Sequence, residues 1–208
     1  MVHQHPKQDQ AFIAFDIVNF YPSISHELLK KALYFAATFV KISAEDRDVI
    51  LHTKQSLLYS AGTAWVKKDA PNYFDVTMGS FDSAKSCKLV GTYLLCRLPE
   101  DIRRKVGFYH DDGLGAFSER ARGIECIKKQ IYKVFAGNGL KITIEANKKI
   151  INFLGMTLDL SRERYQPYTK PNNTPLYIHR KSNHTPTITN KIPSAINKRL
   201  YENLSSDK

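Results

Sequence analysis

The sequence lacks several features that define other classes of protein. No stretch reaches the roughly 18 to 20 consecutive apolar residues of a membrane-spanning helix, and the start, MVHQHPKQDQ, has no apolar run typical of a signal peptide. There are three cysteines, Cys87, Cys96 and Cys126, without metal-ligand spacing. We therefore expect an intracellular chain, in the cytoplasm or nucleus, that does not contact a membrane and keeps its cysteines reduced.

Acidic residues are also scarce. The 208 residues include 31 Lys and Arg against 20 Asp and Glu, a net charge of +11. The imbalance lies in the second half, which has 18 basic and 9 acidic residues from position 105 onward, against 13 and 11 before it. A basic surface is typical of proteins that bind phosphate groups, although many basic proteins bind no nucleic acid. Hydrophobic residues make up 42% of the chain, which is enough for a folded core.

Apolar periodicity predicts the order of the secondary-structure elements. Residues 11–18, AFIAFDIV, form a short continuous apolar run that is typical of a buried strand. The other patterns predict helices over 23–40, 43–59, 80–98 and 119–139, hairpins over 63–78 and 106–117, and strands over 140–147 and 149–160. The last part of the chain is predicted to be extended and then helical near 192–204.

This order predicts an α+β fold. If the first two helices and the 63–78 hairpin are insertions, the remaining order is strand, helix, hairpin, helix, strand, which is the split βαβ or ferredoxin-like arrangement. We predict this antiparallel sheet, backed by helices, for residues 1–160. Residues 161–208 hold five of the nine prolines and are basic, so they are predicted to form an extension leading into a helix.

Three aspartates are candidates for a metal site. In such a sheet the first strand lies beside the hairpin, which would bring Asp16 close to Asp111 and Asp112. Three neighbouring carboxylates repel one another, and Mg²⁺ relieves that repulsion. Two such ions support in-line phosphoryl transfer. The alternative is that Asp-Asp-Gly is an ordinary hairpin turn, but an aspartate within the most apolar strand favours the metal site.

Four segments of the sequence resemble the palm motifs of reverse transcriptases in their order and spacing. They are AFDIVNFYPSI, VTMGSFDSAKSCKLVG, GFYHDDGLGAF and LKITIEANKKIINFLGMTLDL. The later segment LYIHRKSNHTPTITNKIPSAINKRL resembles the part that follows the palm in Penelope-like and related non-retroviral elements. The resemblance covers nearly the whole chain from about residue 11. It implies a retrotransposon RNA-directed DNA polymerase, a nucleotidyltransferase acting on dNTPs, an RNA template and a DNA primer.

The resemblance also implies roles for particular residues. Asp16 and Asp111 would hold two Mg²⁺ ions, with Mn²⁺ as an alternative, and Asp112 would be a helper or lesser ligand. Tyr21 matches the aromatic residue that packs under the deoxyribose and excludes a 2′-hydroxyl, although a tyrosine at this place is also an ordinary core residue.

Further positions match the parts of the family that contact substrate. Gly79 and Ser80 match the entry of the helix that lies against the template and the incoming nucleotide. Lys148 lies near the position of a lysine that approaches the triphosphate, but a solvated turn residue is the favoured alternative. We expect basic residues of the tail to contact the duplex backbone, namely Arg162, Arg164, Lys170, Arg180 and Lys181.

The sequence departs from the family in two respects. Phe81-Asp82 stands where retroviral enzymes have glutamine and glycine, and only fifteen residues precede Asp16, where the family has a fingers region. We therefore expect a palm-centred piece of a longer polymerase, with 161–208 as the start of a thumb or helix-turn-helix segment. Two alternatives remain open: an inactive, truncated palm that binds nucleic acid, and a palm polymerase of another template class such as an RNA replicase.

Overall fold

The computed structural model describes residues 10–55, 57–66, 73–171, 183 and 185–203. The chain divides into two compact units, Met1–Asn147 and Lys148–Lys208. The helices are α1 (Phe20–Ser23), α2 (His26–Ala36), α3 (Ala44–His52), α4 (Ser83–Cys96), α5 (Glu100–Arg103), α6 (Ala121–Ala136) and α7 (Pro186–Asn203). The strands are β1 (Gln10–Ile17), β2 (Leu58–Ser60), β3 (Thr63–Trp65), β4 (Val106–Tyr109), β5 (Asp112–Ser118), β6 (Ile142–Lys148), β7 (Ile150–Phe153), β8 (Met156–Asp159) and β9 (Arg164–Pro167).

A four-stranded sheet with the order β4-β5-β1-β6 forms the centre of the first unit. Strand β5 pairs antiparallel with both β1 and β4. The prediction of a buried first strand is confirmed, because Ile13, Phe15 and Ile17 of β1 are at most 3% exposed. Side chains alternate between the two faces of a strand, so these three share one face of β1 and Asp16 lies on the other. The predicted α+β class with antiparallel sheets is confirmed.

Helices α2, α4 and α6 supply a large part of the core. Helix α2 packs against α4, and α6 packs against β1. Their buried side chains include Leu28, Leu29 and Leu33 of α2, Cys87, Val90 and Leu94 of α4, and Ile124, Ile131 and Phe135 of α6. A capping box opens α3: the Asp46 amide donates to the Ser43 hydroxyl at 3.0 Å, and the Ser43 amide donates to the Asp46 carboxylate at 3.1 Å.

The predicted hairpin over residues 63–78 is wrong in its two arms, 63–66 and 73–78, while its loop, 67–72, lies outside the described residues. Strand β3 pairs instead with β2, and Leu58 and Tyr59 of β2 fall within the helix predicted over 43–59. The two residues between these strands, Ala61 and Gly62, have φ of 49° and 77°. Two consecutive positive φ angles form a tight turn whose twist suits a hairpin, and this turn is hard to predict because alanine rarely adopts such a conformation. Phe74 forms an isolated bridge with Gln55 instead.

The strand predicted over 149–160 is interrupted. It consists of β7 and β8, which pair antiparallel around Leu154 and Gly155, with φ of 47° and 79°. Strand β8 also pairs with β9, so the second unit contains a three-stranded antiparallel sheet. Helix α4 begins at Ser83 rather than Ser80, and α7 begins at Pro186 rather than near 192. Among the described residues, no helix combines the length and apolar character needed to cross a membrane.

Candidate functional site

Two of the predicted aspartates face each other across neighbouring strands. Asp16, next to the last residue of β1, pairs directly with Asp112, the first residue of β5. Directly opposed residues of an antiparallel pair have their Cβ atoms roughly 4.5 to 5.5 Å apart, on the same face of the sheet. The Ile17 amide donates to the Asp111 carbonyl oxygen at 3.0 Å, which holds the third aspartate at the same end of the sheet. The register therefore brings the three predicted residues to one end of the sheet, where β1 ends and β5 begins.

The turn between β4 and β5 consists of His110 and Asp111. Tyr109 and Asp112 pair directly, which leaves a two-residue connection. Asp-Gly, the turn signal of the sequence, is therefore not the turn: Asp112 and Gly113 already belong to β5. His110 has a φ of 54°, and its Nδ1 is buried without a hydrogen-bond partner among the described residues. Such backbone conformations are unfavourable outside glycine, and they concentrate at functional sites.

A glycine next to the aspartates has a steric function. Gly113 pairs with Phe15, and a Cβ added to Gly113 would lie 2.1 Å from the Phe15 ring. The ring therefore covers the glycine, and any other residue would displace it. Phe15 also stacks on Phe108 of β4, with ring centroids 5.9 Å apart. This aromatic packing on the core face supports the aspartates on the opposite face.

The carboxylates affect one another electrostatically. Burial raises the pKa of Asp16 above its ordinary value, and the negative charge of Asp111 raises it further. Carboxylate oxygens are the ligands that Mg²⁺ prefers, and one or two carboxylates together with substrate phosphates usually suffice. Within the described part of the chain, no group of three or more His, Cys, Asp and Glu side chains is arranged to hold a metal ion. The metal ligands therefore stay a prediction.

Tyr21 lies next to this end of the sheet and forms a hydrogen bond that the sequence did not predict. It belongs to the short helix α1, and its hydroxyl donates to the thiol sulphur of Cys87 on α4. Burial raises the pKa of Tyr21, and Cys87, Asp111 and Tyr109 add to the rise. Burial raises the pKa of the Cys87 thiol to about 12, although the bond from Tyr21 opposes that effect. The tyrosine is therefore held between the core and the aspartates.

Gly79 and Ser80 lie in the loop that leads into α4. Gly79 has a φ of 91°, and the space beyond its Cα is open to 4 Å. The Ser80 amide donates to the Thr77 carbonyl at 3.3 Å, and the hydroxyls of Ser80 and Ser83 contact each other. Ser83, which is 1% exposed, also donates to the Thr77 carbonyl. These bonds hold the loop in a defined shape that leaves the glycine accessible.

A buried lysine holds the same loop from the other side. Lys54 is 3% exposed and forms an ion pair with Asp82, whose side chain is 40% exposed. The hydrogen bond from Lys54 lowers the pKa of Asp82, and burial of the carboxyl opposes this. The Lys54 carbonyl accepts from the Asp75 amide at 2.8 Å. Lys54, just after α3, therefore contacts the segment before α4 at two points, Asp75 and Asp82, and holds it in place.

The remaining predicted residues lie from position 148 onward in the sequence. Lys148 is the last residue of β6, and Arg164 is the first residue of β9. Arg162 and Lys170 are exposed, and Arg162 approaches the Asp159 carboxylate at 3.8 Å. The two other basic residues, Arg180 and Lys181, lie outside the described residues. The roles of all six stay predictions.

Sequence reasoning missed two residues of the site. Lys54 follows Leu51 by three positions, so both would share one face of the helix predicted over 43–59, and both are buried in the structure. A lysine on an apolar face is the signal that was available. Cys87 is the other residue: the sequence predicts only that its thiol stays reduced, and nothing in the sequence marks its hydrogen bond with Tyr21.

The sequence matches no protein-family model and no curated protein, but solved structures resemble the fold. Apo telomerase from Candida tropicalis, truncated from its C-terminal domain, matches 76% of this chain with a TM-score of 0.57 and 13% identity. Apo telomerase from the same organism matches 77% with a TM-score of 0.59 and 12% identity. A third structure, telomerase with a fragment of telomeric RNA, has a TM-score of 0.49, which is too low to define a fold.

The chain spans about a third of the length of these structures, 35% of the first and 33% of the second. At 12 to 13% identity the likeness concerns the fold alone. The chain therefore shares its fold with part of these telomerase structures.

Proposed function

We propose that this chain is the palm region of a retroelement reverse transcriptase, an RNA-directed DNA polymerase related to Penelope-like elements. The observation that carries the proposal is the register of β1 and β5, which pairs Asp16 with Asp112 and ties Ile17 to Asp111. The order of the strands adds support. With α4 between β1 and β4, and α6 between β5 and β6, the order β4-β5-β1-β6 is that of a ferredoxin-like split βαβ sheet.

The proposed reaction joins a deoxynucleotide to a primer. The 3′-hydroxyl of the primer attacks the α-phosphate of a dNTP, a new phosphodiester bond forms, and pyrophosphate leaves. Mg²⁺, held by Asp16 and Asp111, would lower the pKa of the hydroxyl and offset the charge that develops on the phosphate oxygens. The raised pKa of Asp16 is consistent with this function: burial raises it most, the charge of Asp111 raises it further, and a bound cation would offset the repulsion from Asp111.

The neighbouring residues would position the nucleotide. Tyr21 would pack under the deoxyribose, and its bond to the Cys87 thiol would keep the ring in place. The open space at Gly79 would admit the nucleotide close to the backbone, beside Ser80. In the second unit, Arg162, Arg164 and Lys170, and also Lys148, Arg180 and Lys181, would contact phosphates of the RNA template, the DNA product or the dNTP.

The proposal is tested by primer extension on an RNA template with Mg²⁺ and dNTPs. The full chain is compared with Asp16→Asn and Asp111→Asn, and with Asp101→Asn as the control, because Asp101 is an exposed aspartate on α5. We expect extension to fall at least about a hundredfold in the first two variants and to be unchanged in the control. Extension that persists in Asp111→Asn at the wild-type rate would exclude the proposed mechanism.

The second candidate is a palm that binds nucleic acid without polymerising it. It is favoured by the lack, among the described residues, of a three-member group of metal-ligating side chains. This candidate predicts binding of an RNA–DNA duplex that weakens steeply with salt, because counterion release dominates phosphate contacts. It also predicts that no dNTP is incorporated with either Mg²⁺ or Mn²⁺, whereas measurable incorporation that depends on Asp111 would exclude it.

A further inference from the structure

A groove on the helical side of the first unit has features of a binding site unrelated to the aspartates. It encloses about 880 Å³ and lies between α2, the end of α4 and the end of α6. Helix α2 contributes residues three and four positions apart, which lie on one helix face. They are Glu27, Lys30, Lys31, Tyr34, Phe35 and the following Thr38. The end of the sheet that carries the aspartates contributes no residue to this groove.

The groove is strongly basic. Lys30, Lys31, Arg97 and Lys133 line it, against one carboxylate, Glu27. None of these four cations forms an ion pair with any residue in the described part of the chain, whereas elsewhere Arg104 and Lys128 do. Four like charges around one groove repel one another. A negatively charged partner would relieve this repulsion.

The walls of the groove are preformed. Arg97 donates to the Tyr93 hydroxyl from Nε and Nη2, both at 3.3 Å, so its guanidinium is held at the wall. The Phe35 ring packs edge-on against the Tyr93 ring, with centroids 5.7 Å apart. Val134 and Cys96 complete an apolar floor. A site with an apolar floor and a charged rim accepts an apolar side chain together with flanking charges.

We propose that this groove binds an acidic peptide segment of a partner protein, with an apolar side chain on the floor and carboxylates against the four cations. The geometry favours a peptide over RNA. Single-stranded RNA binds through bases that stack on exposed ring faces, but Tyr93 is only 5% exposed and Phe35 is packed against both Tyr93 and Phe39. Tyr34 is 52% exposed, but the Arg47 guanidinium covers one face of its ring, 4.6 Å from the centroid. The volume also suits a short segment and not a duplex.

The test measures fluorescence anisotropy of three labelled 12-mers with the full chain at physiological salt. The probes are a repeated Glu-Glu-Leu peptide, its Gln-Gln-Leu analogue and oligouridylate RNA. The groove variant is Lys30→Glu/Lys133→Glu. The matched control is Lys88→Glu/Arg122→Glu, which changes two exposed helical cations outside the groove by the same total charge.

We expect the Glu-Glu-Leu peptide to bind, the groove variant to weaken its binding at least about tenfold, and the control to weaken it less than about twofold. The Gln-Gln-Leu analogue should bind at least about tenfold more weakly than the acidic peptide. Equal weakening in both variants would overturn the proposal, because it would show general attraction to a basic protein. RNA binding that is lost in the groove variant, with peptide binding unchanged, would overturn it in favour of a nucleic-acid site.

Discussion

Removing the two partners of the Lys54–Asp82 ion pair is expected to destabilise the protein unequally. Lys54 is 3% exposed, whereas the Asp82 side chain is 40% exposed and also accepts a bond from the Ser80 hydroxyl at 3.3 Å. In Lys54→Met, Asp82 keeps its contact with water and an apolar chain of similar length fills the space. In Asp82→Asn, a buried ammonium group loses its counter-charge.

The magnitudes follow from this difference in exposure. Loss of one partner from a fully buried pair lowers the free energy of unfolding by about 3 to 5 kcal/mol. Because water reaches this pair through the partly exposed Asp82, Asp82→Asn should lower it by about 3 kcal/mol at most. Lys54→Met should cost about 1 kcal/mol, in the range of an exposed pair. The double variant should resemble Lys54→Met, because the buried charge is then absent.

Urea unfolding followed by circular dichroism measures these differences. The midpoint of Asp82→Asn should lie about 1 M below that of Lys54→Met, since a protein of this size loses roughly 2 kcal/mol per molar urea. Glu100→Gln provides the control, because the Glu100–Arg104 pair is exposed on both sides and its loss should cost less than about 1 kcal/mol. If Asp82→Asn is no less stable than Lys54→Met, an uncompensated buried charge on Lys54 is not what destabilises the protein.

The pair also predicts a pH dependence. Lys54 lowers the pKa of Asp82 in the folded state. As the pH falls to the ordinary aspartate pKa of about 3.9, Asp82 therefore takes up a proton in the unfolded chain but stays ionised in the folded chain. The stabilisation is therefore complete above that value and is lost as the pH falls through the folded pKa. Lys54→Met should lose less stability than the wild type between about pH 5 and pH 3.

Three further predictions concern the candidate site. In the same urea assay, Gly113→Ala should destabilise the protein by about 3 kcal/mol, because the added Cβ would meet the Phe15 ring. The control is Gly107→Ala, whose added Cβ would have its nearest neighbouring atom 3.9 Å away, so its stability should change by less than about 1 kcal/mol. Equal effects of the two substitutions would contradict the packing argument. The thiol of Cys87 has a pKa of about 12, above the unfolded value of about 8.5, so stability should fall with rising pH between these values. Alkaline titration of Cys87→Ala should show a shallower fall, and an unchanged slope would rule out this contribution. In primer extension, Tyr21→Ala should raise ribonucleotide use relative to dNTPs at least about tenfold; unchanged selectivity would remove its assigned role.

The elements predicted well are those with strong local signals. The apolar run of β1 and the starts of the helices predicted over 43–59 and 119–139 each depend on residues close in the sequence. The failures occurred at tight turns. At Ala61 and Leu154, non-glycine residues adopt positive φ before a glycine, and local propensity disfavours that conformation.

The sequence by itself determined that this chain has a buried strand with one aspartate near its end, a pair of adjacent aspartates between two apolar segments, and an excess of positive charge. These features follow from composition and periodicity, which act over a few residues. The tertiary structure decided which residues meet. The register that pairs Asp16 with Asp112, the burial of Lys54 against Asp82 and the bond between Tyr21 and Cys87 all join residues far apart in the chain. Contacts of that kind depend on how the whole sheet and its helices pack, because no local pattern specifies the partner of a side chain across the core.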